Sequence, residues 1–125
     1  MHENEISYDV RGAAFRVHTA LGPGLLESVY ERALAYELIQ MGHDVQTQVA
    51  MPVVYREVRL EAGFRIDLLV AQRVIVEVKS VEGLLDVHHK QLLTYLKLSG
   101  KKLGLLMNFN VSSMKSGIVR IANGL

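Results

Sequence analysis

Three charged residues interrupt two apolar stretches in the middle of the chain. The segment FRIDLLVAQRVIVEVKS carries Asp67, Glu77 and Lys79 among branched apolar side chains. Charge inside a buried strand is costly unless another group compensates for it. Carboxylate oxygens suit a hard cation such as Mg²⁺, and a neighbouring lysine can orient a water molecule or stabilise developing negative charge. These residue types therefore indicate a metal site that could support hydrolysis.

The spacing predicts that the two acids meet. The stretches are typical of an antiparallel hairpin, with strands Val58–Val70 and Val74–Lys79. Opposed residues of such a hairpin share a face. A turn at Ala71–Arg73 puts only apolar pairs on one face: Ile66 with Val78, Leu68 with Val76 and Val70 with Val74. The other face then carries Leu69 opposite Ile75, Asp67 opposite Glu77 and Arg65 opposite Lys79.

Two interpretations of this charged face are open. Opposed carboxylates destabilise a sheet pair, so a cation should compensate for them. Arg65 and Lys79 could do so on an exposed face, as a self-neutralising set of two acids and two bases. A divalent metal held by Asp67 and Glu77 is the other solution. Lys79 would project to the same side, because it lies two residues after Glu77.

Hydrophobic periodicity places the hairpin among other elements. Pro52 suggests that its strand lies at a sheet edge or contains a bulge. Asp86 is the predicted N-cap of the third helix, and Gly100 closes that helix. The predicted elements are a helix ending near Leu21, a helix over residues 26–41, strands at Val45–Tyr55, Val58–Val70 and Val74–Lys79, a helix over Val87–Ser99, and strands at residues 103–109 and 117–121.

The order ααβββαβ(β) predicts an α+β fold, built as a mixed α/β sandwich. The 125 residues suffice for one compact domain, residues 1–125. The chain has no cysteine, which excludes disulfides and thiolate metal sites. Its formal net charge of +1 gives no argument for nucleic-acid binding from bulk charge. No apolar run approaches the roughly 20 residues of a membrane span, so we expect a cytoplasmic protein without a membrane partner.

The spacing D-x(9)-E-x-K, formed by Asp67, Glu77 and Lys79, resembles the PD-(D/E)XK nuclease superfamily. The proline of that name is absent, since Ile66 precedes Asp67. Gln91 and Tyr95 lie one helical turn apart, which is similar to the Q-x-x-x-Y element of RecB-like nucleases. There the pair lies beside the catalytic centre and the substrate backbone. Without the hairpin, the sequence would predict that Gln91 is a surface amide and Tyr95 a core aromatic residue.

The stretch GLLESVY, residues 24–30, resembles the signature of the GxxExxY family of this superfamily. The likeness extends over nearly the whole chain, through VHTALGPGLLESVYERAL, DLLV, VIVEVKSV and QLLTYLKL. In related nucleases a glutamate of the first core helix often joins the metal shell, which implies that role for Glu27. Otherwise Glu27 is an acid favoured in the first turn by the helix dipole. We expect Tyr30 to be a packing residue with a hydrogen-bonded hydroxyl.

The resemblance implies a phosphodiesterase that depends on Mg²⁺ or Mn²⁺ and acts on DNA. The metal would polarise the scissile phosphate while Lys79 positions the attacking water. The implied metal ligands are Glu27, Asp67, Glu77 and the Val78 carbonyl. The implied catalytic residues are Glu27, Asp67, Glu77, Lys79, Gln91 and Tyr95.

Four further residues are candidate substrate contacts: Arg65, His88, Lys90 and His18. Arg65 and Lys90 could contact phosphates. His88 shares the helix face of Gln91 and Tyr95, although a first-turn histidine is as often simply solvated. His18 matches the family pattern, yet a lone helical histidine is more often structural, because metal sites usually contain a second one.

A different class of function is a non-catalytic module that binds nucleic acid or protein, since a fold does not determine its function. The acids and bases that the chemistry needs are all present, which favours the enzyme. A double-strand cut needs two active sites, so we also consider a homodimer. The strand with Pro52 and the segment GIVRIANGL are the candidate dimer surfaces.

Overall fold

The computed structural model describes all 125 residues and contains three α-helices and five strands. The elements are α1 (Glu3–Leu21), α2 (Glu27–Gln40), β1 (Val45–Tyr55), β2 (Val58–Val70), β3 (Val74–Lys79), α3 (Asp86–Ser99), β4 (Leu103–Asn108), a short 3-10 helix (Met114–Gly117) and β5 (Ile118–Ala122). This confirms the predicted α+β fold and its element order. None of the helices is both long and apolar enough to cross a bilayer.

The strands form one mixed sheet in the order β1-β2-β3-β4-β5. Only β3 and β4 are parallel, and the other three neighbouring pairs are antiparallel. A parallel pair needs a crossover connection, which α3 supplies. β1 is an edge strand whose register shifts between Met51 and Val53. The edge position and the bulge predicted from Pro52 are therefore both present.

Helices cover both faces of the sheet, so the sheet separates two apolar cores. The first core lies against α1 and α2 and includes Ile6, Val10, Leu34, Leu38, Leu68, Val76, Val78 and Leu105. The second core lies against α3 and consists of Ile66, Leu69, Ile75, Leu92, Leu96 and Leu106. Strands covered on both faces are nearly continuous apolar runs, which explains why β3 and β4 show little alternation.

The hairpin of β2 and β3 has the predicted register over only half of its predicted length. Leu68 pairs with Val76, Leu69 with Ile75 and Val70 with Val74. The ladder ends there, and the predicted pairs of Ile66 with Val78, Asp67 with Glu77 and Arg65 with Lys79 do not form. The reason is chemical, because side-chain carboxylates take over the backbone donors at this point.

The charged side of this hairpin is not an exposed face, so that interpretation is wrong. Ile75, on the same side of β3 as Glu77, belongs to the core beneath α3. Glu77 itself is only 6% exposed. No ion pair involves Arg65, Asp67, Glu77 or Lys79. The self-neutralising set of four charges is therefore absent.

At Gln48, the apolar side chains of β1 change from one face of the sheet to the other. Val45 packs against the core of α1 and α2, whereas Val49 and Met51 pack against the core of α3. Gln48 has a left-handed backbone φ of 51° and is missing from the ladder, although its neighbours on both sides are paired. Regular alternation would put Val45, Val49 and Met51 on one side of β1, but alternation does not continue through such a residue.

The start of α3 differs by one residue from the prediction. The helix begins at Asp86, and Leu85 is its N-cap. His88 Nδ1 accepts a hydrogen bond from the Leu85 N–H at 3.0 Å, so a histidine rather than an aspartate satisfies a backbone donor at this end. Gly100 ends the helix in a left-handed conformation at φ 72°, as predicted.

Candidate active site

Asp67 lies where the ladder between β2 and β3 ends. Its Oδ2 accepts a hydrogen bond from the Val78 N–H at 2.8 Å. Its own backbone N–H donates to Glu77 Oε1 at 3.3 Å. The two acids therefore meet as predicted, but through side chain and backbone instead of as a cross-strand pair.

Glu77 is the most perturbed acid of this site. Burial, together with charge repulsion and side-chain hydrogen bonding from the Asp67 carboxylate, raises its pKa to about 9, although the hydrogen bond from the Asp67 backbone N–H acts in the opposite direction. Lys79 opposes the shift, but as the smallest of the contributions. Glu77 is therefore protonated at neutral pH when no cation is present. An acid whose pKa is raised by burial and by a neighbouring carboxylate is typical of functional sites.

Lys79 is the last residue of β3 and is half-buried. It follows Glu77 by two residues, and its ammonium group forms no ion pair within 4.0 Å. Its backbone is well held, since the Phe109 N–H donates to the Lys79 carbonyl at 2.9 Å. The backbone of Lys79 is thus fixed, while its ammonium group has no ion-pair partner.

The loop after Lys79 is fixed by Asn108, which is opposite Lys79 in the β3–β4 register and 2% exposed. Asn108 Oδ1 accepts from the Val81 N–H at 3.1 Å and from the Asn110 N–H at 3.2 Å. Its Nδ2 donates to the Val81 carbonyl at 3.0 Å. No sequence pattern marks Asn108 for this role, which depends on the parallel pairing of two distant strands.

Glu27 is the first residue of α2 and contacts the same loop. Its Oε2 accepts a hydrogen bond from the Ser80 N–H at 2.9 Å, and Ser80 Oγ donates to the Leu25 carbonyl at 2.7 Å. These bonds bring the first turn of α2 to the residue that follows Lys79. The exposed carboxylate of Glu27 is thus hydrogen-bonded to the backbone. Its role as a metal ligand stays a prediction.

Tyr30, the last residue of G-x-x-E-x-x-Y, contacts the turn that precedes Glu27. It is buried and stacks on Phe109, with ring centroids 4.6 Å apart. Its hydroxyl donates to the Gly22 carbonyl at 2.5 Å and accepts from the Leu25 N–H at 3.0 Å. The expectation of a packed tyrosine with a hydrogen-bonded hydroxyl is confirmed. Tyr30 fixes the turn that delivers Glu27.

Besides Asn108, two residues of this site were missed by the sequence reasoning: Glu31 and Gln48. Gln48 Nε2 donates to Glu31 Oε1 at 2.8 Å and to Asp67 Oδ1 at 3.2 Å. Burial raises the pKa of Glu31, and the Asp67 carboxylate adds to that shift. Glu31 lies one turn after Glu27 on the same helix face, which was the only available signal. Nothing in the sequence marks Gln48.

The Q-x-x-x-Y pair is split between two environments. Tyr95 is half-buried and stacks on Phe64, with ring centroids 4.4 Å apart. Burial raises the pKa of its hydroxyl, and the negative charges of Glu77 and then Asp67 add to the shift. Gln91 is exposed, and its side chain is in none of the hydrogen bonds within the chain. Both catalytic roles stay predictions.

The four predicted substrate contacts are dispersed. Arg65 is exposed and forms no ion pair, whereas Lys90 pairs with Asp86 at 3.0 Å. His88 accepts a hydrogen bond at the start of α3. His18 is 8% exposed, and its Nε2 lies 2.7 Å from the Val111 carbonyl oxygen. The histidines thus have structural contacts, and all four substrate roles stay predictions.

The residues fit a hard divalent cation in their chemistry. No three side chains of the types histidine, cysteine, aspartate and glutamate converge tightly enough to enclose a metal by themselves. Mg²⁺, however, is commonly bound by one or two carboxylates together with water and substrate phosphates. Asp67 and Glu77 supply those two carboxylates, and neither has an ion-pair partner.

Comparison with known proteins agrees with this geometry. A sequence model of the PD-(D/E)XK nuclease superfamily matches residues 4–121, so the chain belongs to that superfamily. No curated protein and no solved structure matches the chain. The predicted resemblance is therefore confirmed for the superfamily, and membership of the GxxExxY family stays a prediction.

Proposed function

We propose that this protein is a nuclease that depends on Mg²⁺ or Mn²⁺ and cleaves DNA phosphodiester bonds. The observation that carries the proposal is the contact of Asp67 with Glu77 at the end of the ladder, two residues before an unpaired Lys79. Membership of a nuclease superfamily supports nucleic acid as the substrate class. The choice of DNA over RNA rests on the resemblance to RecB-like and GxxExxY sequences.

Asp67 and Glu77 would hold the cation, with the Val78 carbonyl and Glu27 as further candidate ligands. A bound divalent cation would polarise the scissile phosphate and lower the pKa of a bound water. Glu77 would release its proton on binding, because metal ligands must be deprotonated. Lys79 would orient the attacking water and stabilise negative charge that develops on the phosphate. Tyr95 and Gln91 would contact the substrate or that water.

The proposal is tested by calorimetric titration of Mn²⁺ into the wild type and into Asp67→Asn. Asn keeps the shape of the side chain and removes its charge. Asp86→Asn is the matched control, since Asp86 is an exposed acid paired only with Lys90. We expect binding in the wild type and the control, and none in Asp67→Asn.

Cleavage is then measured on branched, single-stranded and duplex DNA and on RNA of the same sequence, with Mg²⁺ or Mn²⁺ present. Activity that is lost in Asp67→Asn and Lys79→Ala supports the proposal. Normal cleavage by Lys79→Ala would refute the role of that residue. Absence of Mn²⁺ binding in the wild type, with or without DNA, would instead favour a non-catalytic module on the same fold.

Self-association belongs to the same proposal, because two active sites are needed for a double-strand cut. Light scattering after gel filtration, with and without duplex DNA, measures the mass directly. A mass of one chain under both conditions would exclude the homodimer.

A further inference from the structure

The side-chain hydrogen bonds of Gln48 are all to acidic residues. Its side-chain amide donates to Glu31 Oε1 at 2.8 Å and to Asp67 Oδ1 at 3.2 Å. One amide carries two N–H donors, so a single side chain can satisfy both carboxylates. Neither Gln48 nor Glu31 takes part in any other side-chain hydrogen bond or ion pair. Gln48 thus joins α2 to the residue that ends the β2–β3 ladder.

The backbone of Gln48 is unusual for a strand residue. Its φ of 51° lies in the left-handed region, which a residue with a side chain rarely adopts. Glycine would meet this conformation without strain. Gln48 is also exposed, so it gains no packing in return. A strained conformation that serves no packing purpose points to a role for the side chain that it orients.

This strain falls opposite Asp67. Thr47 pairs with Leu68 and Val49 with Ile66, so Gln48 and Asp67 are opposed but unpaired. On the other side of Asp67, its Oδ2 is fixed by the Val78 N–H at 2.8 Å. Each oxygen of the Asp67 carboxylate therefore has one donor, from β1 and from β3 respectively. Two donors on different strands fix the plane of the carboxylate and the direction of its remaining lone pairs.

We propose that Gln48 is a positioning residue that orients Asp67 and holds Glu31 beside it as an additional acid of the active site. This inference rests on the proposed function and extends it from the hairpin to α2 and the edge strand. Gln48 acts through Asp67 and Glu31 and touches no reacting atom. A residue that merely joins α2 to β1 would contribute to stability and leave the reaction alone.

The test compares Gln48→Gly with Gln46→Ala. Gly removes the amide and relieves the left-handed backbone, so the melting temperature should hold or rise. Gln46 is the matched control, because it is an exposed glutamine of the same strand that accepts one hydrogen bond from Gln72 at 3.0 Å. We expect Gln48→Gly to lower kcat and Mn²⁺ affinity by about 10- to 100-fold, as for other residues that orient metal ligands, with an unchanged KM for DNA. Gln46→Ala should change none of these.

A second readout is independent of activity. The carboxyl carbon chemical shifts of Asp67 and Glu31, measured by NMR on metal-free protein at fixed pH, should both move in Gln48→Gly and stay in place in Gln46→Ala. Unchanged shifts and unchanged kcat would overturn the inference, and so would a kcat loss that merely follows a lower melting temperature. If the wild type neither binds Mn²⁺ nor cleaves, the proposed function fails, and the two chemical shifts alone decide the role of Gln48.

Discussion

The Asp67 N–H donates to Glu77 Oε1 at 3.3 Å, so one acid of the site is held by the backbone of the other. The Asp67 carboxylate in turn accepts from the Val78 N–H. The two acids therefore end the β2–β3 ladder and are the candidate cation ligands at the same time. Substitutions by the amide isosteres separate these roles better than alanine, because they keep the shape of each side chain.

The raised pKa of Glu77 predicts that the metal-free protein loses stability as the pH rises. Its folded pKa is about 9, against 4.5 for an unperturbed side chain, so the folded state keeps a proton that the unfolded chain releases. The contribution of the Glu77 proton to the free energy of unfolding is fully present below about pH 4.5. It is lost as the pH rises towards about 9, by at most about 1.4 kcal/mol per pH unit. Urea unfolding at several pH values in the presence of a chelator measures the slope.

Glu77→Gln should flatten that slope, because an amide has no proton to lose. Glu82→Gln, at an exposed glutamate of the following loop, is the control and should keep the slope of the wild type. Equal slopes in the wild type and in Glu77→Gln would show that Glu77 is ionised in the folded protein.

Cation binding at neutral pH should release close to one proton, since Glu77 must ionise to act as a ligand. Calorimetric titration of Mn²⁺ in two buffers of different ionisation enthalpy gives the number of protons directly. We expect the release to fall to about half a proton near the Glu77 pKa of about 9 and towards zero above it. A heat that is the same in both buffers at neutral pH would contradict the assignment of Glu77 as a ligand.

Lys79→Gln should reduce cleavage by about 100-fold or more, as expected for the loss of a group that stabilises developing charge. Its melting temperature should stay close to that of the wild type, because Lys79 is in no ion pair. Lys97→Gln, at an exposed lysine of α3, is the control for loss of one positive charge. Equal losses of activity in both variants would mean that only overall charge matters.

Asn108→Ala should destabilise the protein by about 2 to 3 kcal/mol, because it leaves the part-buried N–H groups of Val81 and Asn110 without partners. Cleavage should also fall at temperatures where the variant is folded, since the loop that it frees begins directly after Lys79. Asn123→Ala removes a single bond, to the Lys101 carbonyl, and should cost less than half as much. Chemical unfolding of the three proteins provides the comparison.

Gly63→Ala should destabilise the β1–β2 hairpin by about 1 to 3 kcal/mol, the usual range for overpacking. A Cβ at Gly63 would lie 2.1 Å from Val53 Cγ2 and 2.7 Å from Val53 Cβ, so β1 would have to move. Gly83→Ala is the matched control, because a Cβ there meets nothing within 4 Å. Thermal unfolding that gives the same melting temperature for both variants would show that the bulge at Pro52 adapts freely.

Much of the fold could be predicted because the elements are regular and well punctuated. The bounds of β1, β2 and β3 agree with the prediction at both ends. Alternation and apolar runs report burial, and Gly100 marks the end of α3. The three pairs nearest the β2–β3 turn also follow, since a turn fixes the register close to it.

The part of the site formed by Gln48 and Glu31 could not be predicted. The alternation of side chains between the two faces of a sheet assumes a regular strand backbone. Gln48 has a left-handed φ without being glycine, and beyond it Val49 and Ile66 face the core of α3. No rule of composition or spacing marks such a residue. Glu31 was missed for a related reason, since its contact with Asp67 runs through the Gln48 amide.

The change of face at Gln48 divides the β1–β2 hairpin into three zones of different protection. The inner zone, with Val45 and Val70, is held by the core of α1 and α2, and the middle zone, with Met51, by the core of α3. At the tip, the exposed Tyr55 and Val58 are outside both cores. Amide hydrogen exchange should therefore be fastest at the tip and slower towards the inner zone, because local opening of the tip exposes the least buried surface. Asp67 lies at the border between the inner and middle zones, so the tip of the hairpin can open without loosening the acids.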